Sequence, residues 1–514
     1  MSNMPPYTST TNACKLCKPL GASLAFRGIE GTVPFLHGSQ GCATYMRRYI
    51  ISHFNEPIDI ASSSLGEKHA VYGGGANLKL GLNNVTKKYA PKLIGVATTC
   101  LTETIGDDVK RIIREYEAEF HEDEHPRIIS VSTPSYSGTH MEGFHAALKA
   151  VVEQLTEPVL PDDILPTTQD LPDEILTPTQ DLPDEILTPT QDLPDEILTP
   201  TQDLPDEALV LSNNADALSC KEDALSCRRV NFMPGFVSAA DLRYLKELLA
   251  DFKIGFTLFP DYSESLDGEA LNDYPLIPAG GTPLEDIKRM GGAKITIECG
   301  STLPKESAGR SLERMYGTPL HRTAMPIGIR ETDRLMDKLA QISKREIPSR
   351  YKSARGRLVD AMVDGHKYLS GKRAVVYGEE DLVVGLTSFL AEIGVQPVLC
   401  ASGGKSGELS KAIAGVLDGI SPMAEVYENV DFYDIEEKAE HLNIDLLVGH
   451  SKGYTFARKI GVPLIRVGFP IHDRMGGQRI LHLGYHGAQM LFDTITNTII
   501  AKKQDDSPIG YSYM

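Results

Sequence analysis

Short apolar runs separated by segments of helical period constrain this chain more than any other feature. Gly31–Leu36, Lys92–Thr98 and Arg127–Ser132 are such runs early on, followed by Arg229–Met233, Phe256–Pro260 and Ala293–Glu298. Arg373–Gly378, Gln396–Cys400, Asp445–Val448 and Pro463–Gly468 complete the series. Between them, Gly21–Gly28, Ala76–Tyr89, Asp107–Phe120, Met141–Leu155, Ala239–Asp251 and Asp381–Ile393 read as helices, as does Glu331–Ala354 with a break at Pro348. Strands alternating with helices imply parallel sheets. At 514 residues the chain exceeds one core, so the expectation is three doubly wound, Rossmann-like α/β domains.

The domains are expected at 14–156, 228–370 and 371–514, after a disordered tail at 1–13. The insertion at 157–227 is different in kind. Leu-Pro-Asp-Glu-Ile-Leu-Thr-Pro-Thr-Gln-Asp recurs from Leu160, Leu171, Leu182, Leu193 and Leu204, the first copy varied and the last truncated. Two prolines per repeat break any helix, and too few apolar residues remain for a solenoid core, so an acidic, largely disordered linker is expected. Residues 157–208 carry 15 Asp and Glu with no Lys or Arg and account for most of the formal net charge of −19. The rest is near neutral, without the basic stripe that nucleic acid requires. No run approaches the ~20 apolar residues of a membrane span, and the N-terminus lacks a signal-peptide layout. The cytoplasm is the expected location.

Eight cysteines are too few for a secreted disulfide framework in a chain this long. Cys42 leaves the glycine turn of His37-Gly-Ser-Gln-Gly-Cys42, Cys100 follows the run Lys92–Thr98, and Cys17 opens Cys17-Lys-Pro-Leu-Gly-Ala. Cys42, Cys100 and Thr139 all fall beyond the carboxyl ends of strands, where parallel sheets bind ligands. Two readings stand side by side. A buried cysteine is commonly a small packed apolar residue. Three thiolates beside glycines also suit an iron–sulfur cluster, one ligand short of four, with the remainder supplied by another chain.

Other motifs are weaker. Cys14-Lys-Leu-Cys17 follows a tail rather than a strand, which disfavours a redox C-x-x-C. Cys220 and Cys227 arise from a duplicated Asp-Ala-Leu-Ser-Cys. His121-Glu-Asp-Glu-His125 matches H-E-x-x-H but is followed by Pro126, so a charged loop is expected. His482 and His486, in an apparent C-terminal helix, share the i, i+4 spacing without a Glu after the first. Gly449-His-Ser-Lys-Gly453 matches a nucleophile elbow, yet Asp473 would need a histidine partner from that same helix, so a plain strand-to-helix turn is expected. No phosphate-binding glycine motif is present.

Four motifs come in a familiar order: Cys17-Lys-Pro-Leu-Gly-Ala, Pro34-Phe-Leu-His-Gly-Ser-Gln-Gly-Cys42, Ala97-Thr-Thr-Cys100-Leu-Thr-Glu-Thr-Ile-Gly-Asp-Asp108 and Thr133-Pro-Ser-Tyr-Ser-Gly-Thr139. Pro260-Asp-Tyr-Ser-Glu-Ser-Leu-Asp-Gly268 and Gly468-Phe-Pro-Ile-His-Asp-Arg474 continue it. Together they resemble the β-type subunits of the nitrogenase component 1 superfamily over nearly the whole chain. The short leader, His472 with Gln478-Arg-Ile-Leu-His-Leu-Gly-Tyr485, and the ending Asp506-Ser-Pro-Ile-Gly-Tyr-Ser-Tyr513-Met resemble the scaffold type (NifN type) that matures the iron–molybdenum cofactor.

The resemblance implies a subunit of an oxidoreductase-like complex rather than an enzyme by itself. It implies an α2β2-like heterotetramer with a NifE-type α-like scaffold partner, an interfacial 4Fe–4S cluster with Cys42 as ligand, and a transient iron–molybdenum cofactor precursor on the complex. The nitrogenase iron protein and a precursor donor are the further partners implied. No residue here is assigned to the precursor. Cys17 and Cys100 complete the trio that catalytic β subunits use for a larger cluster, and Thr139 stands where those subunits have a serine. A catalytic β subunit and a tetrapyrrole-reducing relative are the alternatives.

Overall fold

A computed structural model describes residues 14–119, 125–158 and 229–509. The expected tail, the repeat, Cys220, Cys227, His121–Glu124 and the last five residues lie outside them. By contact the chain divides into Met1–Val159 with Arg229–Met514, and Leu160–Arg228. The second unit falls wholly outside the described residues.

Three parallel sheets organise the first unit. One contains β1 (Thr32–His37), β2 (Ala61–Ser62), β3 (Leu93–Thr98) and β4 (Arg127–Val131), in the order β2-β1-β3-β4. The second sheet repeats that order with β5 (Val230–Met233), β6 (Phe256–Leu258), β7 (Ile295–Cys299) and β8 (Leu320–Thr323), as β6-β5-β7-β8. The third holds β9 (Arg373–Gly378), β10 (Gln396–Ser402), β11 (Glu425–Tyr427), β12 (Leu446–Gly449) and β13 (Leu464–Arg466), as β11-β10-β9-β12-β13. Every strand pair is parallel. Strands covered on both faces read as continuous apolar runs, and all six residues of β1 and of β3 are buried. One apolar core runs through the three sheets, with Phe26, Phe232 and Phe389 among its fully buried side chains.

In the first sheet the chain adds β2 on one side of β1, then crosses back to add β3 on the other. The switch point therefore lies between β1 and β3, and ligands in such folds bind outside the carboxyl ends at that point. The register aligns His37 with Thr98, so the chain leaves both strands at one level.

The helix Gln40–Phe54 leaves β1 and was not among the helices expected from sequence. Ser39 caps it, its side chain accepting from the Gly41 amide at 3.2 Å. The expected Gly21–Gly28 helix begins earlier, at Lys18, directly after Cys17. The Glu331–Ala354 stretch resolves into two helices, Gly328–Ser343 and Ser349–Leu369, broken at Pro348 as expected. Cys299 ends β7 inside the core rather than following the strand. His482 precedes the C-terminal helix Gly484–Asp506 instead of lying on it. Its Nδ1 bonds the buried Asp241 carboxylate at 3.0 Å, which also accepts from the amides of His482 at 2.7 Å and Leu483 at 3.0 Å. These donors hold Asp241 below the usual carboxylate range against the opposing cost of its burial.

Two buried histidines give the fold an acid limit. Burial lowers His53 to about 3 and His140 to about 4. His53 Nδ1 accepts from the Ile471 amide at 2.9 Å, a bond made only by the neutral ring. Unfolded, each takes a proton near pH 6.5, so the unfolded state binds more protons between pH 6.5 and 4. The stability from this pair is complete above pH 6.5 and falls with acidification by about 1.4 kcal/mol per pH unit per histidine. The expected result is a melting temperature that drops between pH 7.5 and pH 5, followed by circular dichroism. His140→Phe should remove about one proton from that dependence; an unchanged slope would refute the assignment.

Candidate metal centre

Beyond the switch point of the first sheet, Cys17 and Cys100 lie near enough to Cys42 to act on it electrostatically. Cys42 lies in the first turn of Gln40–Phe54, after β1, and its amide donates to the Ser39 carbonyl at 3.1 Å. Cys100 opens the short helix Cys100–Ile105, after β3. Cys17 is the residue before the helix Lys18–Arg27. Its backbone pairs with Thr139, the N-cap of the helix His140–Leu155. Each thiol thus stands at the positive end of a helix, where partial charges on free amides favour an anion.

The turn between β1 and Cys42 is fixed from several sides. The Thr99 amide and Thr102 Oγ1 donate to the His37 carbonyl at 3.1 and 3.0 Å. Ser63 Oγ accepts from the Gly38 amide at 2.9 Å and lies 2.9 Å from His37 Nδ1. His37 Nε2 bonds Asp107 at 3.2 Å. A side chain at position 38 would lie 2.1 Å from Thr99 Oγ1, so glycine is required where the two strand ends touch.

All six cysteines among the described residues are free. They fall into two groups by burial. Cys14, Cys299 and Cys400 are buried, while Cys17, Cys42 and Cys100 are half-buried. Burial raises Cys42, and the nearby Cys17 and Cys100 raise it further. A Cys42 thiol whose ionisation is opposed in this way is relieved by a cationic core beside it. The Ser135 amide already donates to Cys100 Sγ at 3.2 Å, the kind of bond that stabilises a cluster-bound thiolate. Among the described residues no three His, Cys, Asp or Glu side chains close on a single ion. The trio is a wider set, and its all-thiol chemistry fits an iron–sulfur group, in which inorganic sulfide bridges several irons. Such a group would supply one-electron storage; this chain's residues would supply the thiolates, the amide donor and the helix ends.

Thr139 does not present a free hydroxyl to the trio. Its Oγ1 accepts from the Met141 amide at 3.2 Å and donates to the Glu142 carboxylate. Cys14 parts from Cys17 altogether: its thiol lies 3.9 Å from His450 Nε2 in the core of the third sheet, where burial pushes it up to about 12. The C-x-x-C spacing is therefore split between two sheets. Of the H-E-x-x-H run, His125 is described, and its Nδ1 donates to the Pro126 carbonyl at 2.9 Å.

At the G-x-S-x-G match, the Ser451 hydroxyl donates to Asp473, which is gripped by Arg466 at 2.6–3.0 Å and lies below the usual carboxylate range despite its partial burial. The serine bonds the acid directly, with no imidazole between them, so the base of a hydrolase triad is missing there. One residue that sequence reasoning overlooked is Lys452. Burial lowers its ammonium and the Cys14 and Cys17 thiols raise it. Its sequence signal was only its place within the G-x-S-x-G match.

Known proteins share this arrangement of sheets. The family model described as nitrogenase component 1 type oxidoreductase matches residues 17–500. The chain is 32% identical over 493 residues to the nitrogenase molybdenum-iron protein beta chain of Clostridium pasteurianum, covering 96% of this chain and 93% of that one. It is 32% identical over 512 residues to the corresponding beta chain of Azotobacter vinelandii, covering 97% and 86%. A solved structure described as nitrogenase Cp1 at pH 6.5 superposes with a TM-score of 0.83 at 30% identity, covering 100% of this chain and 98% of that one. A second, nitrogenase Cp1 at pH 5, is 15% identical with a TM-score of 0.63 and shares the fold. Among the described residues no helix is long and apolar enough to cross a membrane. The motif order, the three sheets and the thiol edge thus have one common source: the chain belongs to the nitrogenase component 1 type oxidoreductase family, as a β-like subunit.

Proposed function

We propose that this chain is the β-like subunit of a scaffold on which the nitrogenase iron–molybdenum cofactor is assembled. Cys42, Cys17 and Cys100 hold its share of a 4Fe–4S cluster at the interface with an α-like partner, in an α2β2-like heterotetramer. The observation that carries the reading is the meeting of three half-buried free thiols at the switch point of the first sheet. The other described cysteines are buried in the core, so a fourth ligand is left to another chain. The cofactor precursor rests on the complex transiently, delivered by a donor protein, and the nitrogenase iron protein docks during maturation. The scaffold assignment rests on the Pro470-Ile-His472-Asp-Arg474 and Gln478–Tyr485 stretches. Domain limits at 14–156, 228–370 and 371–514, with one sheet each, and a cytoplasmic location belong to the same proposal.

A second reading, the catalytic β subunit, is favoured by the complete cysteine trio and by relatives described as molybdenum-iron protein beta chains. Co-expression with the α-like partner separates the two. A scaffold yields a complex with interfacial-cluster iron and an electron paramagnetic resonance signal, but no acetylene reduction at nitrogenase rates with the iron protein. Such reduction would exclude the scaffold. A complex free of iron would sink both.

A further inference from the structure

We propose that Lys452 is a positioning charge for the thiol-bound centre, an ammonium carried in from the third sheet that favours the centre's reduced state. This rests on the interfacial cluster of the preceding reading and concerns a residue outside its ligand set.

The turn that carries Lys452 is rigid. Lys452 lies in the Ser451–Gly453 turn after β12. A side chain at position 453 would lie 2.0 Å from Tyr377 Oη, and one at position 449 would lie 2.4 Å from the Tyr377 carbonyl. Tyr377 Oη in turn donates to the His450 carbonyl at 2.7 Å. The Ser451 amide donates to the Pro470 carbonyl at 3.1 Å. The backbone on both sides of Lys452 is therefore pinned, and its side chain has a fixed origin.

From that origin it reaches the helix of Cys42. Lys452 Nζ lies over the Tyr49 ring, 5.4 Å from its centroid, within cation–π range. The Tyr49 and Tyr45 rings are 4.8 Å apart. Cys42, Tyr45 and Tyr49 stand at i, i+3 and i+7 of the helix Gln40–Phe54, hence on one face. The cation thus sits on the aromatic continuation of the face that presents Cys42, and it is half-buried, where solvent screens it less than at the surface.

A fixed positive charge stabilises whichever state carries one more electron. The couple concerned takes up one electron, supplied in the experiment by dithionite, and no bond is made or broken at Lys452. Tyr49 lies seven residues, about 10 Å of helix rise, from Cys42, and Coulomb's law for a unit charge at about that distance in a partly buried setting gives roughly a tenfold change in the reduced-to-oxidised ratio at fixed potential.

The test is a dithionite redox titration of the complex co-purified with its α-like partner, followed by electron paramagnetic resonance, with iron counted in each sample. Lys452→Gln should retain its iron and shift the midpoint to more negative potential, with a roughly tenfold lower reduced-to-oxidised ratio at the wild-type midpoint. Lys452→Arg should titrate like wild type. Iron lost in the Gln variant but kept in the Arg variant would also support the charge. An unshifted midpoint in an iron-replete Gln variant would overturn the proposal, as would iron loss in both variants, which would mark a steric role. Absence of iron from the wild-type complex would instead defeat the underlying cluster reading.

Discussion

Cys42→Ala should cost the complex the iron of its interfacial cluster and the visible absorption that accompanies it, with the protein still folded. Cys42 is a half-buried thiol in the first turn of a 15-residue helix, so removal of its sulfur leaves little cavity and costs little stability. Its loss takes away the thiolate on the helix that follows β1. Cys400→Ala is the control. Cys400 is fully buried and exchanges a hydrogen bond with Thr387 at 3.3 Å; its loss should lower the melting temperature and leave iron unchanged. Cys17→Ala and Cys100→Ala report how many of the trio ligate. If Cys42→Ala keeps a full iron complement and an unchanged spectrum, the trio is packing and the centre lies elsewhere.

The second large effect concerns two glycines. Helices Lys18–Arg27 and His140–Leu155 lie so close that a side chain at position 21 would be 1.6 Å from the His140 carbonyl oxygen, and one at position 143 would be 1.8 Å from the Lys18 carbonyl oxygen. Both obstacles are backbone, which cannot rotate aside. Gly143→Ala should therefore destabilise by about 3 kcal/mol or more, at the upper end of overpacking costs. It should also lower iron occupancy, because the same helix ends hold Cys17 against Thr139. Gly356→Ala is the contrasting change. Gly356 lies within the helix Ser349–Leu369 and meets nothing within 4 Å, so alanine should stabilise by roughly 0.5–1 kcal/mol. The chain has no tryptophan, so thermal unfolding is best followed by circular dichroism. Equal melting temperatures for wild type and Gly143→Ala would refute the close-packing argument.

Much of the architecture was legible because buried parallel strands leave unbroken apolar runs. Arg373–Gly378 coincides with β9, and Lys92–Thr98 differs from β3 by one residue. The helix Gln40–Phe54 was missed although its buried Ala43, Met46, Ile50 and Phe54 follow helical spacing. Its polar average and the salience of the glycine turn before it hid that pattern. The meeting of Cys17, Cys42 and Cys100 has no sequence period, because register and crossover produce it. The split of Cys14 from Cys17 is invisible in a spacing count for the same reason: the bends at Cys14 and Lys15 turn the two thiols towards different surroundings. Lys452 joins the site across more than 400 residues of chain, a distance that no local pattern spans.

The course of residues 14–17 has a mechanical consequence. Cys14 is embedded beside His450 in the third sheet's core, and a side chain at position 403 would press on its carbonyl at 2.7 Å. Lys15 reaches Asn429 at 3.1 Å. Two residues after Lys15, Cys17 stands at the edge of the first sheet, with the Leu16 carbonyl holding the His140 amide at 3.0 Å. Three residues of chain span at most about 10 Å, so this segment is a short strap between the two sheets. A parting of the third sheet from the first beyond that reach must either break the Cys14 anchorage or drag Cys17 away from Cys42 and Cys100. The position of Cys17 relative to Cys42 and Cys100 is thereby tied to how the third sheet sits against the first.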